Sequence, residues 1–244
     1  MPVFMFNLII DIGNTAVKAS RSEGMTLGKT FRYQGEKVLD FILSLIDKEK
    51  PEVMVVSSVY GISSHDEKIL RKQCKHLLIL DKSHTQLLQA KGLPDHITYD
   101  RAASILAAKY LFPDRGCTVV DFGTTLTVDF TNKEGTYLGG NISLGCRTRF
   151  KALNRYSRAL PLVDTPENSE VLGHNLQGSM VAGVISGIKF EIEGYIGLYP
   201  DNIIVFTGGD AIYFAKRMKN SIFVVCNLVL MGLALIADEY VKSL

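Results

Sequence analysis

One short pattern occurs twice in this chain of 244 residues, and it restricts the possible folds more than any other feature. In both copies an apolar strand runs into Asp, any residue and Gly, followed by small polar residues and a second, alternating strand. The first copy is residues 8–19 and the second is residues 119–130. Two hairpins of one kind, about one domain-length apart, predict a duplicated fold.

The first copy has the features of a phosphate-binding turn. Gly13 and Asn14 both tolerate positive φ, so the pair predicts a tight turn between two strands. Such a turn directs backbone N–H groups and the Asn14 and Thr15 side chains into one small space, where a phosphate chain fits. Asp11 is close enough to hold a hydrated cation. An ordinary hairpin capped by polar residues explains the same pattern, but the second copy favours phosphate, since two such hairpins can grip a polyphosphate from opposite sides.

Composition excludes several classes of function. The chain is 47% hydrophobic and 21% charged, with a formal net charge of +2, which is typical of a globular protein. It contains no block of Lys and Arg, so no nucleic-acid surface is expected. The longest apolar stretch, residues 228–237, is too short to span a membrane, and no signal peptide is expected. The scattered cysteines predict reduced thiols in a cytoplasmic protein, and the dispersed histidines predict no structural metal site.

Apolar periodicity predicts a similar order of elements in both halves. In the first half we expect three strands to residue 33, a helix over 38–46, a strand over 53–56, a helix over 64–74, a strand over 77–80, a loop over 82–99 and a helix over 101–111. In the second half we expect the repeated hairpin, a strand over 136–144, a helix over 150–158, a loop over 162–176, a long helix around 181–192, a strand over 203–206, a helix to 218, a strand over 222–225 and a helix over 227–241. The predicted domains are residues 1–115 and 116–244.

Five stretches, in this order, resemble the type III pantothenate kinases: residues 10–15, residues 100–101 before an Ala-rich helix, residues 121–124, residues 137–142 with Gly145 beyond, and residues 207–211. The resemblance covers nearly the whole chain. It implies an α/β fold, a duplicated actin-like (ribonuclease H-like) ATPase with two β-β-β-α-β-α-β halves and ATP in the cleft between them. It also implies ATP-dependent phosphorylation of pantothenate, the first step of coenzyme A biosynthesis, by a homodimer.

The resemblance assigns a role to each motif. It implies contacts with ATP for Asp11, Ile12, Gly13, Asn14, Thr15, Ala16, Val17, Lys18, Gly123, Thr124, Gly208 and Gly209. It implies Mg²⁺ with the ATP, and K⁺ or NH₄⁺ bound by Asp121. It implies contacts with pantothenate for Thr98, Tyr99, Asp100, Arg101 and Leu176. Without the resemblance, the glycine pair is an ordinary strand-to-helix turn and Asp121 is a carboxylate at the end of a strand.

Asp100 has two interpretations, and they are compatible. At the start of the predicted helix, Asp is a favoured N-cap residue. By resemblance, Asp100 is the base that accepts the hydroxyl proton of pantothenate; in a loose transition state it need only orient the hydroxyl and take the proton late. Arg101 also has two interpretations. It is a solvent-facing residue of the first turn, or it binds polar groups of the substrate or a phosphate oxygen. A cation at the start of a helix is disfavoured by the helix dipole, and this cost favours the binding role.

Three positions depart from the family's pattern, all on the pantothenate side. Thr98 stands where a glycine is usual, Leu176 where a threonine contacts the substrate, and Lys91 where an aromatic residue is common. The acceptor is therefore the least determined part of the reaction. One alternative is a kinase of the same fold for another small hydroxy compound, and another is a non-catalytic, ATP-binding regulatory homologue. Asp100 argues against the second, because a binding protein needs no base there.

A dimer is expected from two features of the second half. Gly183 and Gly187 lie on an apolar helix and allow another element to pack closely. The loop over residues 162–176 is polar and irregular, as loops at active sites and interfaces often are. Together they predict a partner subunit that helps to close the substrate pocket.

Overall fold

A computed structural model of the chain describes residues 6–46, 49–82 and 86–243. The chain divides into two compact units: Met1–Leu111 with Asn227–Leu244, and Phe112–Cys226. Each unit contains one five-stranded sheet in which antiparallel and parallel neighbours are combined. Among the described residues, no helix is both long enough and apolar enough to cross a membrane.

The elements follow each other along the chain with the same order of strands in both units. The first unit contains β1 (Asn7–Ile12), β2 (Val17–Glu23), β3 (Thr26–Tyr33), α1 (Val38–Ser44), β4 (Val53–Ser58), α2 (Ser64–Arg71), β5 (His76–Leu80), α3 (Gln86–Ala90) and α4 (Tyr99–Leu111). The second contains β6 (Cys117–Phe122), β7 (Thr125–Thr131), β8 (Tyr137–Leu144), α5 (Cys146–Tyr156), α6 (Leu176–Leu198), β9 (Ile203–Gly208), α7 (Ala211–Ala215) and β10 (Ile222–Val224). The chain ends with α8 (Leu228–Ser243), which belongs to the first unit.

The two sheets correspond strand by strand, as a duplicated fold requires. The orders are β3-β2-β1-β4-β5 in the first unit and β8-β7-β6-β9-β10 in the second. In each, a three-stranded antiparallel meander continues into parallel strands. β1 and β6 therefore hold equivalent central positions, and the Asp-x-Gly motif lies at the carboxyl end of each.

Several predicted helices have different bounds in the structure. α4 begins at Tyr99 and α5 at Cys146, both earlier than predicted, while α7 ends at Ala215. The short helix α3 lies within the predicted loop, of which residues 83–85 are outside the described residues. Helix α3 is five residues long, and its buried residue is Leu88. A helix this short has too few apolar positions to show a helical period in the sequence.

The last helix distinguishes the observed units from the predicted halves. α8 is buried along most of its first three turns and packs on α4, β1 and β4 of the first unit. At Gly232 the two helices approach so closely that a Cβ atom would overlap the Ala103 carbonyl. The sequence shows that α8 is apolar, but a helix apolar on nearly all sides does not reveal which sheet it covers.

The core of the second unit lies between one face of its sheet and the helices packed on it. Strands β6 and β7 contribute alternate residues to this face, including Val120, Phe122 and Val128. Helix α6 lays Ile188 and Ile192 against them. The core reaches Phe122 at the end of β6, while Gly123 and Thr124 directly after it are exposed.

Candidate active site

The first motif forms the predicted hairpin. β1 and β2 pair up to Ile12 and Val17, and the Gly13 N–H donates to the Ala16 carbonyl at 3.2 Å. Gly13 and Asn14 both tolerate a positive φ, but neither adopts one. A turn closed by the Gly13–Ala16 hydrogen bond allows both residues an ordinary conformation.

The side chains of this hairpin divide into a buried set and an exposed set. Asp11 is 8% exposed, at the end of β1, while Asn14 and Thr15 are exposed. Val17 is part of the core, so it can meet a ligand only through its backbone. The Tyr60 hydroxyl donates to Asn14 Oδ1 at 2.8 Å. The sequence patterns did not identify Tyr60 as a residue of the site. The feature that could have done so is its position just after the end of β4.

The second motif forms a turn at the corresponding place in the second unit, one residue shorter than the first. The Gly123 N–H donates to the Thr125 carbonyl at 3.0 Å. Gly123 and Thr124 are exposed, while Asp121 is half-buried at the end of β6. The N–H of Gly145 and the hydroxyl of Thr148 also reach this turn.

The structure brings Asp121 together with the predicted glycine pair. β6 and β9 are parallel neighbours, with Asp121 opposite Thr207 and Phe122 opposite Gly208. Gly208 has a φ of +92°, and a Cβ there would lie 2.6 Å from both Phe122 N and O and would overlap Asp121 Oδ1. The Gly209 N–H donates to the Phe122 carbonyl at 2.9 Å. Only glycine fits at position 208, which an ordinary strand-to-helix turn does not require.

Asp100 lies within α4 and does not cap it. Because α4 begins at Tyr99, the N-cap prediction is wrong; the Thr98 carbonyl accepts from Ala102 N–H at 2.9 Å. Asp100 Oδ1 accepts from the backbone N–H of Arg101 at 2.9 Å. Asp100 is the second residue of the helix, two positions beyond the N-cap. An acidic residue in the first turn is still favoured by the helix dipole, because the N–H groups there are free of partners within the helix.

The neighbours of Asp100 are buried more deeply than the sequence indicates. Arg101 is 7% exposed, which excludes the solvent-facing interpretation of this side chain. Tyr99 is 4% exposed, and burial, with the nearby charge of Asp81, raises the pKa of its phenol to about 12. The phenol is therefore a hydrogen-bond donor at neutral pH. Sequence reasoning missed Asp81, which is 5% exposed and directly follows β5.

The three positions that depart from the family's pattern lie in different settings. Thr98 is exposed just before α4. Lys91 forms an ion pair with Glu239 of α8, so a charged contact occupies the place where an aromatic residue is common. Leu176 is 55% exposed, as the first residue of α6 in the second unit. Four of the residues proposed to contact the substrate are consecutive at the start of α4 in the first unit: Thr98, Tyr99, Asp100 and Arg101. The fifth, Leu176, is in the second unit.

Two cavities of about 390 Å³ each border the loop over residues 162–176. One is lined by cationic side chains from α6 and from the segment after α7, among them Lys189 and Arg217. The other lies beside the start of α6, at Asn175 and Gly178. None of the predicted site residues lines either cavity.

Comparison with known proteins assigns the family. The family model described as type III pantothenate kinase matches residues 7–197. A protein of that name from Phocaeicola vulgatus is 36% identical over 236 residues, which cover 93% of this chain and 96% of the relative. The chain belongs to the type III pantothenate kinase family. The resemblance seen in the motifs is confirmed, and the reaction of the family is the ATP-dependent phosphorylation of pantothenate in coenzyme A biosynthesis.

Solved structures confirm the fold of this pantothenate kinase family member. A conserved Campylobacter jejuni protein, assigned to a Baf family of transcriptional activators, is similar with a TM-score of 0.64 and 22% identity, covering 96% of this chain and 99% of that one. The activator of the 2-hydroxyisocaproyl-CoA dehydratase from Clostridium difficile, with bound ADPNP, is similar with a TM-score of 0.60 and 13% identity, covering 98% and 96%. The fold is that of the actin-like ATPases and sugar kinases.

Proposed function

We propose that this chain transfers the γ-phosphoryl group of ATP to the hydroxyl of pantothenate. One observation carries the proposal: Asp-x-Gly turns end β1 and β6, which hold equivalent positions in two sheets of the same strand order. Both turns present exposed small polar residues, Asn14 and Thr15 in one and Thr124 in the other. Two such turns supply the N–H and hydroxyl donors that a polyphosphate requires. The bound ADPNP of the dehydratase activator supports a nucleotide ligand for this fold.

The proposed ATP site uses the backbone more than the side chains. Asp11, Ile12, Gly13, Asn14, Thr15, Ala16, Val17 and Lys18 of the first hairpin, with Gly123 and Thr124, bind the phosphates. Gly208 and Gly209 bind the adenosine through their backbone. The support for the glycine pair is that Gly209 is exposed and that no side chain fits at Gly208.

The carboxylates at the two turns fit the cations of the proposed reaction. No group of three His, Cys, Asp or Glu able to hold a metal occurs within residues 6–46, 49–82 and 86–243. Mg²⁺ in kinases is bound by one or two carboxylates together with substrate phosphates, so Asp11 beside the first turn is a sufficient protein ligand. Asp121 offers oxygen ligands for K⁺ or NH₄⁺. These cations would neutralise phosphate charge during transfer.

Asp100 is the proposed base. The pantothenate oxygen forms a bond to the γ-phosphorus, the bond from that phosphorus to the bridging oxygen breaks, ADP leaves, and the hydroxyl proton passes to the Asp100 carboxylate. The Arg101 N–H holds Asp100 Oδ1, which leaves the other oxygen to orient the hydroxyl. In a loose transition state this positioning matters more than basicity.

The remaining contacts with pantothenate are proposed for Thr98, Tyr99, Arg101 and Leu176. The departures at Thr98 and Leu176 keep one alternative under consideration, a kinase of the same fold acting on another small hydroxy compound. An ADP-release assay over a panel of alcohols that includes pantothenate separates the two. Turnover with another alcohol and none with pantothenate would favour the alternative.

We also propose a homodimer in the cytoplasm. β8 is an edge strand, and it exposes Leu138, Ile142 and Leu144. On α6, Phe190 is 61% exposed, and nothing lies within 4 Å of a Cβ placed at Gly183, so a partner can approach closely. Exposed apolar side chains on an edge strand favour an interface. The four free cysteines suit a reducing compartment.

The variant Asp100→Asn tests the chemistry. The Asn oxygen can accept the same hydrogen bond from Arg101 N–H, so stability should fall by about 1 kcal/mol or less. Turnover should fall by roughly 100-fold or more, the usual scale for a lost general base. ATP affinity should be retained, whereas the control Asp11→Asn should weaken ATP and Mg²⁺ binding. If Asp100→Asn turns over like the parent, or unfolds, Asp100 is structural and the proposed mechanism fails.

A further inference from the structure

The start of α5 forms hydrogen bonds with the second phosphate turn, the turn at Gly123 and Thr124. The Thr124 carbonyl accepts two hydrogen bonds from this helix: one from the Thr148 hydroxyl at 2.7 Å and one from the Gly145 N–H at 3.1 Å. Both donors lie at the start of α5, and Thr148 is outside the five motifs of the family. The turn is therefore not a free hairpin loop, since its central carbonyl is fixed at two points.

Gly145 makes this contact possible because it has no side chain. A Cβ at Gly145 would lie 2.9 Å from the Thr124 carbonyl oxygen and would overlap the Gly123 carbonyl. The φ of Gly145 is −68°, so conformational strain does not explain the glycine. The space does: α5 lies as close to the Gly123–Thr124 turn as two backbones allow.

The start of α5 is itself fixed to the sheet and to α6. The Arg149 Nε donates to the Leu144 carbonyl at 2.8 Å, and its terminal nitrogen donates to Ser143 Oγ at 3.2 Å. The same nitrogen forms an ion pair with Glu191, in which both side chains are 21% exposed. Ser143 Oγ donates to the other Glu191 oxygen at 2.7 Å. A partly buried, bridged pair of this kind holds α5 in one position.

We propose that Thr148 is a positioning residue for the second phosphate turn. The Thr124 carbonyl and the Thr125 N–H belong to one planar peptide group, so the Thr148 hydroxyl fixes the orientation of both. It thereby holds the Thr124 backbone and side chain in the arrangement that receives the ATP phosphates. A turn fixed before the ligand arrives loses less conformational entropy on binding, which raises nucleotide affinity. The inference rests on the proposed ATP site.

The variant Thr148→Val tests it, because Val keeps the shape of Thr and removes the hydroxyl. Titration calorimetry with a non-hydrolysable ATP analogue and Mg²⁺ measures affinity, and steady-state kinetics separate KM for ATP from KM for pantothenate. The loss of one neutral hydrogen bond should weaken nucleotide affinity and raise KM for ATP by roughly 3- to 10-fold. KM for pantothenate should not change. Thr148→Ser should restore parental values, and Thr148→Ala should reproduce the loss if the Val variant does not fold.

A matched control is Thr131→Val, at the other end of β7. Thr131 Oγ1 accepts from the buried Cys117 N–H at 3.1 Å, so this variant also loses a hydroxyl hydrogen bond. It should lose stability and keep nucleotide affinity. If Thr148→Val binds the analogue as the parent does, or if Thr148→Ser is as weak as Thr148→Val, the inference is wrong. If the parent binds no nucleotide, the proposed function fails and the inference fails with it.

Discussion

The glycine pair after β9 offers a sharp test, because its two members differ in what a methyl group would meet. At Gly208 a Cβ would lie 2.6 Å from the Phe122 nitrogen and oxygen, and φ is +92°. At Gly209 the nearest atom is the Phe122 oxygen at 3.9 Å, an ordinary contact, and φ is not positive. The change of Gly to Ala should therefore be strongly destabilising at position 208 and nearly neutral at position 209.

The expected magnitude follows from two costs at Gly208. A non-glycine residue in a sparsely populated positive-φ region costs about 1–3 kcal/mol. Forcing a methyl group into a filled site costs about 1–3 kcal/mol more. Gly208→Ala should therefore lower the free energy of unfolding by about 2–6 kcal/mol. Gly209→Ala should change it by about 1 kcal/mol or less, with stabilisation possible because the unfolded chain loses freedom.

Urea unfolding of both variants measures this difference, provided that the m-value stays constant. The activity assay adds a second readout, because the methyl group at position 208 would displace the Asp121 carboxylate. Gly208→Ala should need more K⁺ for half-maximal activity, and Gly209→Ala should not. Neutral surface substitutions change stability by up to about 0.5 kcal/mol. If the stabilities of the two variants differ by no more than this, the steric explanation for Gly208 is wrong.

Two further predictions concern the cation and the assembly. Because Asp121 is the proposed ligand of a monovalent cation, activity should require K⁺ or NH₄⁺ in addition to Mg²⁺; equal turnover in buffers containing only Na⁺ would contradict the assignment. Because β8 exposes apolar side chains at an edge, light scattering should show a dimer that Ile142→Glu dissociates, and an active monomer of the parent at micromolar concentration would refute the dimer.

The sequence predicted the strands better than the ends of the helices. Most of the predicted strands agree with the structure within one or two residues, because alternation and apolar runs depend on local spacing. α4 and α5 begin earlier than predicted, at Tyr99 and Cys146. The first turn of each holds polar or charged residues that obscure the period. Helix ends are set by hydrogen bonds with neighbours that the sequence does not display.

The candidate site was only partly accessible to sequence reasoning. The two Asp-x-Gly turns and the Gly208–Gly209 pair were found from their order along the chain. The burial of Arg101, the contact of Tyr60 with Asn14 and the contact of Thr148 with Thr124 were not. Each of these depends on the packing of an element that is distant in the chain, and no local pattern encodes the distance between two side chains.

The sequence by itself determined that the fold is duplicated and where the two Asp-x-Gly turns lie, since both follow from strand patterns around Asp, Gly and small polar residues. The tertiary structure decided that α8 joins the first unit, where Gly232 lets it pack against the Ala103 carbonyl of α4. It also decided that Gly145 must lack a side chain although its φ is ordinary. The physical reason is the same in both cases. Apolar periodicity shows that a face is buried, but only close packing in three dimensions selects the surface that buries it.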